Sequence, residues 1–199
     1  MFICDFVKNT QLVRSFFVSF ISVSYLIQFS MNSKTAKESL AITTDLVLPS
    51  DTNALNGMFG GELLARVDRI CCISAQRHSN HIAVTVSVNH VVFTKPVPNG
   101  STVTIESKVS RAFGSSMEIF ADVWLEDRVS RKRTKVNECI YTFVAVDPTG
   151  NKVKVPQLVP ETKLEIERYD AALRRRQMSL VMSGKMKPED ATELKALFI

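Results

Sequence analysis

Asp68 stands eight positions beyond the pair Gly60 and Gly61, and these three residues have the types and spacing for hydrolytic chemistry. Paired glycines at the mouth of a helix let a ligand approach bare backbone. The first-turn N–H groups there have no acceptor within the helix and the dipole is positive, so the place can hold an anion or a developing oxyanion. Within residues 51–78, DTNALNGMFGGELLARVDRICCISAQRH, spacings of three and four bring Leu64, Asp68, Cys71, Cys72 and Ala75 near one another. A carboxylate beside such neighbours is partly desolvated, which disfavours its charged form and suits a general base or nucleophile. The plainer reading is a solvated Asp flanked by Arg66 and Arg69, since most helix carboxylates face water.

The elements that must position these residues follow from the patterning. Residues 39–48 alternate loosely as a strand, and Pro49 ends it. A polar turn containing Asn53, Asn56 and Gly57 leads into the glycines. The following helix carries Leu63, Leu64, Val67, Ile70, Cys71, Ser74 and Ala75 over so much of its circumference that it must be wrapped. Four strand-like runs come next, at 82–93, 102–113, 116–126 and 136–146, with no comparable helix among them. Gly114 and Ser115 make a hairpin between the second and third. One long helix against a long antiparallel sheet is the economical packing, which gives an α+β class. The sheet leaves an edge strand that a second copy of the chain would cover. Residues 161–177 read as a charged helix, and 187–198 as a short amphipathic tail.

Composition bounds the partners. With 199 residues and 45% hydrophobic content the chain suits one domain with a proper core. The net charge of +5 and a pI near 9.1 admit nucleic acid, an anionic membrane or a phosphorylated small molecule. The basic clusters at Arg128, Arg131, Lys132, Arg133 and Lys135, and at Arg174, Arg175 and Arg176, lack the interleaved aromatics that single-strand binding uses. No nucleic acid is expected; each cluster either meets the phosphates of a small molecule or is a solvated surface. Four cysteines without a CxxC spacing read as buried, reduced thiols of a cytoplasmic protein. His78, His81 and His90 have no companion at ligand spacing, so no metal is expected. Residues 1–30 form an apolar extension that resembles a weak secretory signal and is too short and serine-rich for a span of about 20 apolar residues. The preferred reading starts translation at Met31 and leaves this segment outside the fold, with export or anchoring as the alternative. The expected organisation is then an extension at 1–30, a domain at 31–160 and a charged helical tail at 161–199.

From about Thr35 to Arg176 the chain resembles the acyl-CoA thioesterases of the hotdog fold, in particular the hexameric bacterial type. The residues that carry the resemblance are Asp51-Thr52-Asn53, Phe59-Gly60-Gly61, Val67-Asp68, Arg77-His78, Val84-Thr85, Val92-Phe93, Lys95-Pro96 and Gly100. Further on come Gly114-Ser115-Ser116-Met117, Phe143-Val144-Ala145-Val146-Asp147, Gly150, Val155-Pro156 and Pro160. The resemblance implies that Asp68 carries the chemistry and that Asn53 assists from a neighbouring subunit, in dimers that assemble into a trimer of dimers. It implies hydrolysis of acyl-CoA to a carboxylic acid and coenzyme A, with no cofactor beyond the coenzyme A of the substrate. Backbone N–H groups at Gly60 and Gly61 would stabilise the oxyanion. The pantetheine arm would lie near Phe93 and Lys95, and the stretch from Arg111 through Gly114, Ser115 and Ser116 would receive the pyrophosphate. The rival expectations are a hotdog dehydratase or hydratase, which would use a His with an acidic partner, and a non-catalytic acyl-CoA or nucleotide-binding module.

Overall fold

The computed structural model describes residues 33–198, so the expectations for residues 1–30 lie outside the described residues. The long helix α1 runs Gly60–Ser79. It ends where Asn80 turns left-handed (φ 58°) and its N–H donates to Gln76 O at 2.8 Å, a conformation that Asn tolerates better than most residues. Arg77 in the last turn suits the negative end of the dipole.

A five-stranded antiparallel sheet curls around this helix in the order β2-β4-β5-β6-β3. The strands are β2 (Ala41–Leu46), β3 (Ile82–Phe93), β4 (Thr102–Phe113), β5 (Ser116–Glu126) and β6 (Arg133–Val146). Short strands β1 (Ser33–Thr35) and β7 (Gln157–Val159) form a separate pair. The core lies between the concave face and α1. On β5 the alternating Met117, Ile119, Ala121 and Val123 are fully buried, and on α1 so are Val67, Cys71 and Ala75. Polar pins fix the helix along its length. Ser74 Oγ donates to Ser107 O at 3.0 Å, Ser107 Oγ to Ile70 O at 3.1 Å, and Tyr141 Oη to Leu64 O at 3.1 Å.

β3, β4 and β5 have the bounds that the alternation predicts. β6 begins earlier, at Arg133, because Arg133, Thr134 and Lys135 continue the ladder against Glu126, Leu125 and Trp124. Their charges are neutralised in place: Arg133 pairs with Glu106 at 2.7 Å, and Lys135 with Asp122 and Glu138 at 2.6 Å each. β2 is shorter than the loose alternation predicts, because residues Ala36–Ser39 wind into a 3₁₀ turn boxed by Thr35 and Glu38.

The second long helix, α2 (Lys163–Met182), starts at a Thr162–Glu165 capping box and lies on the convex face of the sheet. Arg168 forks onto Asp122 at 2.9 and 2.8 Å, Arg175 onto Glu118 at 2.9 and 2.7 Å, and Lys108 reaches Glu165 at 3.2 Å. Glu118 is only 3% exposed and also accepts from Ser110, so this pair is held in a low-dielectric place where losing one partner strands the other. A four-residue helix, α3 (Thr192–Lys195), follows, tied back where Leu194 N donates to Gln177 Oε1.

His78 closes the far end of α1. It is fully buried, its Nε2–H donates to Pro156 O at 2.9 Å, and Nδ1 has no partner. Burial holds its pKa below the ordinary imidazole value, against the opposing pull of the Pro156 hydrogen bond. With the folded pKa lowered, the unfolded chain takes up the proton first. Stability from the neutral ring is therefore complete above about pH 6.5 and is lost as pH falls through that value towards the folded pKa. Thermal midpoints taken between about pH 7.5 and about pH 5 should fall less steeply for His78→Gln than for the parent chain. Equal slopes would remove His78 from the acid response.

Candidate active site

The approach to α1 is a loop built on its own side chains. Asn53 Oδ1 accepts from Leu55 N at 2.8 Å and Gly57 N at 3.3 Å, which fixes the turn and leaves the amide Nδ2 without a partner among the described residues. Asp51 anchors the loop on one flank of the helix through Arg66 at 2.7 Å, with Asp45 behind it at 3.9 Å. At the helix start Phe59 provides no side-chain cap. Gly61 has open space where a Cβ would stand. Gly60 has the Phe93 ring 2.9 Å from that position, so the structure brings together two residues singled out from opposite ends of the motif region. A methyl group at Gly60 would push the half-exposed Phe93 ring aside.

Asp68 lies two residues beyond Arg66, which on an α-helix is the opposite flank. It is half-buried and accepts from Thr85 Oγ1 at 2.8 Å. Its charge is felt by its neighbours, raising the Cys72 and Cys71 thiols after the larger effect of their burial. It adds to the desolvation that raises the Tyr141 phenol. Cys139, also buried, is pushed up to about 11. Cys71, Cys72 and Cys139 are free thiols and these raised values keep them protonated and unreactive. Thr85 appears in the resemblance without a role of its own, and the structure places its hydroxyl on Asp68. Thr85 and Ser87 are both hydroxyls among the valines of this strand, and only the structure shows that Thr85 turns to the helix.

The coenzyme-binding expectations are spread more widely. Lys95 is exposed in the connection after β3. Gly114 (φ 67°), Ser115 and Ser116 form the β4–β5 hairpin, whose carbonyls at Gly114 and Ser115 accept from Val155 N at 2.8 Å and Ala145 N at 2.9 Å. Arg111 NH1 donates to Tyr169 O at 2.9 Å and its guanidinium stacks on the Tyr169 ring at 3.9 Å.

Asp68 lies against an edge. β3 is the last strand of the sheet, twelve residues long, with Ile82, Val84, Val86, Val88 and Val92 substantially exposed. An uncovered apolar edge of this length is a template for another strand. Two open grooves of the described residues, of about 660 Å³ beside Met178 and Met182 and about 580 Å³ beside Leu46 and Arg69, do not include Asp68. Among the described residues no three His, Cys, Asp or Glu side chains gather as metal ligands would, and no helix is long and apolar enough to cross a membrane.

A long helix wrapped by a curled antiparallel sheet, with a carboxylate at its open edge, is the hotdog architecture of thioesterases. A family model described as the thioesterase superfamily matches residues 55–131. A Bacillus subtilis protein named as an uncharacterized acyl-CoA thioester hydrolase, YkhA, is 41% identical over 139 residues, covering 70% of this chain and 81% of its own. Among solved structures, the acyl-CoA hydrolase of Staphylococcus aureus in complex with butyryl coenzyme A, coenzyme A and coenzyme A disulfide is similar with a TM-score of 0.73. It is 32% identical, covering 84% of this chain and 99% of that one. A hexameric acyl-CoA thioesterase without ligand gives a TM-score of 0.71 at 36% identity, covering 73% of this chain and 94% of its own. The chain belongs to the acyl-CoA thioesterase family of the hotdog superfamily. The Staphylococcus aureus hydrolase has also been solved with an asparagine, an aspartate and a threonine each changed to alanine. Those positions are fifteen and then seventeen residues apart, as Asn53, Asp68 and Thr85 are here.

Proposed function

We propose that the protein hydrolyses acyl-CoA thioesters to free carboxylic acid and coenzyme A, with Asp68 as general base or nucleophile. The observation that carries this reading is the Asp68–Thr85 pair, a carboxylate held in one orientation beside the open edge strand. Its support from relatives is the shared spacing with the three altered positions of the Staphylococcus aureus hydrolase, whose ligands are coenzyme A species.

The chemistry needs an activated water or carboxylate and a place for charge on the thioester oxygen. Asp68 serves the first. The N–H groups at Gly60 and Gly61 serve the second, where one such donor is worth about 3 kcal/mol of transition-state stabilisation. Asn53 cannot reach its own chain's Asp68 easily, because Asp51 ties its loop to the opposite flank of α1. In an antiparallel two-fold pairing of β3, the Phe93 end of one strand lies beside the Ile82 end of the other. Gly60 and the Asn53 loop of one chain then face the same seam as Asp68 of its partner. With Oδ1 engaged in its turn, Asn53 works through Nδ2 as a donor to the carbonyl oxygen or the attacking water. The minimal unit is therefore a homodimer, and the hexameric relative supports a trimer of dimers. The pantetheine arm lies near Phe93 and Lys95, and the hairpin of Gly114, Ser115 and Ser116 with Arg111 receives phosphate. No cofactor is needed beyond the substrate's own coenzyme A, and free protonated thiols suit a reducing, cytoplasmic setting.

The dehydratase reading asks for a His with an acidic partner. His78 is instead buried and committed to Pro156 O, far along the helix from the glycines. Purified protein given acetyl-CoA through palmitoyl-CoA with a thiol-reactive dye should release thiol; binding without turnover would favour a non-catalytic module. Thr85→Val removes the hydrogen bond that orients Asp68 and should lower kcat about tenfold with KM little changed, while Thr85→Ser should restore most of the rate. Unchanged kcat in Thr85→Val would mean that the hydroxyl has no part in the reaction.

A further inference from the structure

The arginines that α2 lays on the sheet fall into two kinds. Arg168 and Arg175 each fork onto a carboxylate. Arg176, the next residue, does not: its NH1 donates to Ser116 Oγ at 3.0 Å, and its guanidinium lies 4.5 Å from the centre of the Phe113 ring. Arg111 approaches the same ring at 5.7 Å and donates only to the Tyr169 carbonyl. Among the described residues neither guanidinium meets an acid. Two positive groups are thus held within about 10 Å of each other by one phenyl ring, and among the described residues the nearby carboxylate, Glu118 across the β4–β5 ladder from Arg111, is already paired with Arg175. Burial lowers the Arg176 pKa, the direction expected of a cation short of a counter-charge. Beside them, the Ser115 hydroxyl has no hydrogen-bond partner among the described residues, and Gly114 stands bare, with open space where a Cβ would be.

We propose that Arg176 and Arg111 form a two-guanidinium site for the phosphate groups of the coenzyme A nucleotide, so that the C-terminal helix supplies a substrate-binding residue. This rests on the hydrolase reading above and adds Arg176 to it. Guanidinium forks suit phosphate oxygens, and both arginines keep N–H donors free after their present bonds. The position also fits the reacting end. Ser116 pairs with Val144, which pairs with Val84, the neighbour of Thr85. Two strand spacings make about 10 Å along the convex face from Ser116 to the open β3 edge, and an extended phosphopantetheine arm is long enough to cross that distance and turn over the edge to Asp68 on the concave side.

The test compares acyl-CoA with the matching acyl-pantetheine, which has no phosphate, in Arg176→Gln. Glutamine keeps a donor for Ser116 but loses the charge. KM for acyl-CoA should rise about tenfold, the loss of one charge-assisted hydrogen bond, while kcat/KM for acyl-pantetheine moves less than twofold. Arg175→Gln breaks the ion pair to Glu118 and loosens α2 without touching the site. If it raises KM for acyl-CoA as much as Arg176→Gln does, the effect is helix docking and the proposal fails. Equal KM values for the two thioesters in the parent chain would also overturn it. If the parent chain cleaves neither thioester, the hydrolase reading falls, and titration with adenosine 3′,5′-bisphosphate still decides the site. Binding weakened about tenfold by Arg176→Gln supports it, and equal binding refutes it.

Discussion

Asp68→Asn should lower thiol release from acyl-CoA by about a thousandfold, within the range that loss of a general base produces. The substitution separates chemistry from structure. Asparagine has nearly the same shape and still offers an oxygen to Thr85, so the 2.8 Å bond and the packing of α1 against β3 survive. What disappears is the basic, charged oxygen. The thermal midpoint should hold or rise slightly, since Asp68 is half-buried with no cation pairing to it among the described residues and its charge bears on the buried Cys71 and Tyr141. Rates with Asp68→Asn and Asp68→Ala equal to the parent would remove Asp68 from the mechanism.

Mixing Asn53→Ala with Asp68→Ala should restore activity that neither variant has alone. If each site takes Asn53 from one chain and Asp68 from the other, a mixed dimer has one site with both groups and one with neither. Random exchange makes half of all dimers mixed, so about a quarter of the parent sites return. The measurement is thiol release after subunits have been exchanged by mild dissociation and reassembly. No recovery, with mixed dimers demonstrated by mass, would show that both groups act within one chain.

The strand bounds and the helix were legible because each keeps its period over most of its length: β3, β4 and β5 alternate apart from local register shifts, and α1 repeats its apolar stripe. The start of β6 was not, because Arg133 and Lys135 resemble a solvated loop until the acids that face them, Glu106 and Asp122 on other strands, are seen. The charged helix α2 was legible as a helix, running on to Met182, but its docking was not. Its weak apolar face concealed a docking made by Arg168 and Arg175 on carboxylates of β5, and such pairings across strands leave no local pattern. Within the site, Asp68, Asn53 and the glycines could be singled out by type and spacing. Thr85 could not, because its role depends on which β3 residues turn towards α1.

Beyond Thr85 the β3–β6 ladder carries two irregularities, between Thr85 and Ser87 and between Val88 and His90. A smooth valine-rich ribbon could slide along an identical neighbour in steps of two residues with little loss of apolar contact. Each such step would carry one chain's carboxylate about 7 Å along the other, out of reach of the loop it must meet. In the pairing proposed above, the kinks would make the ribbon uneven and favour a single alignment. Substitutions that straighten it, remote from any reacting atom, should therefore produce assembled but idle particles.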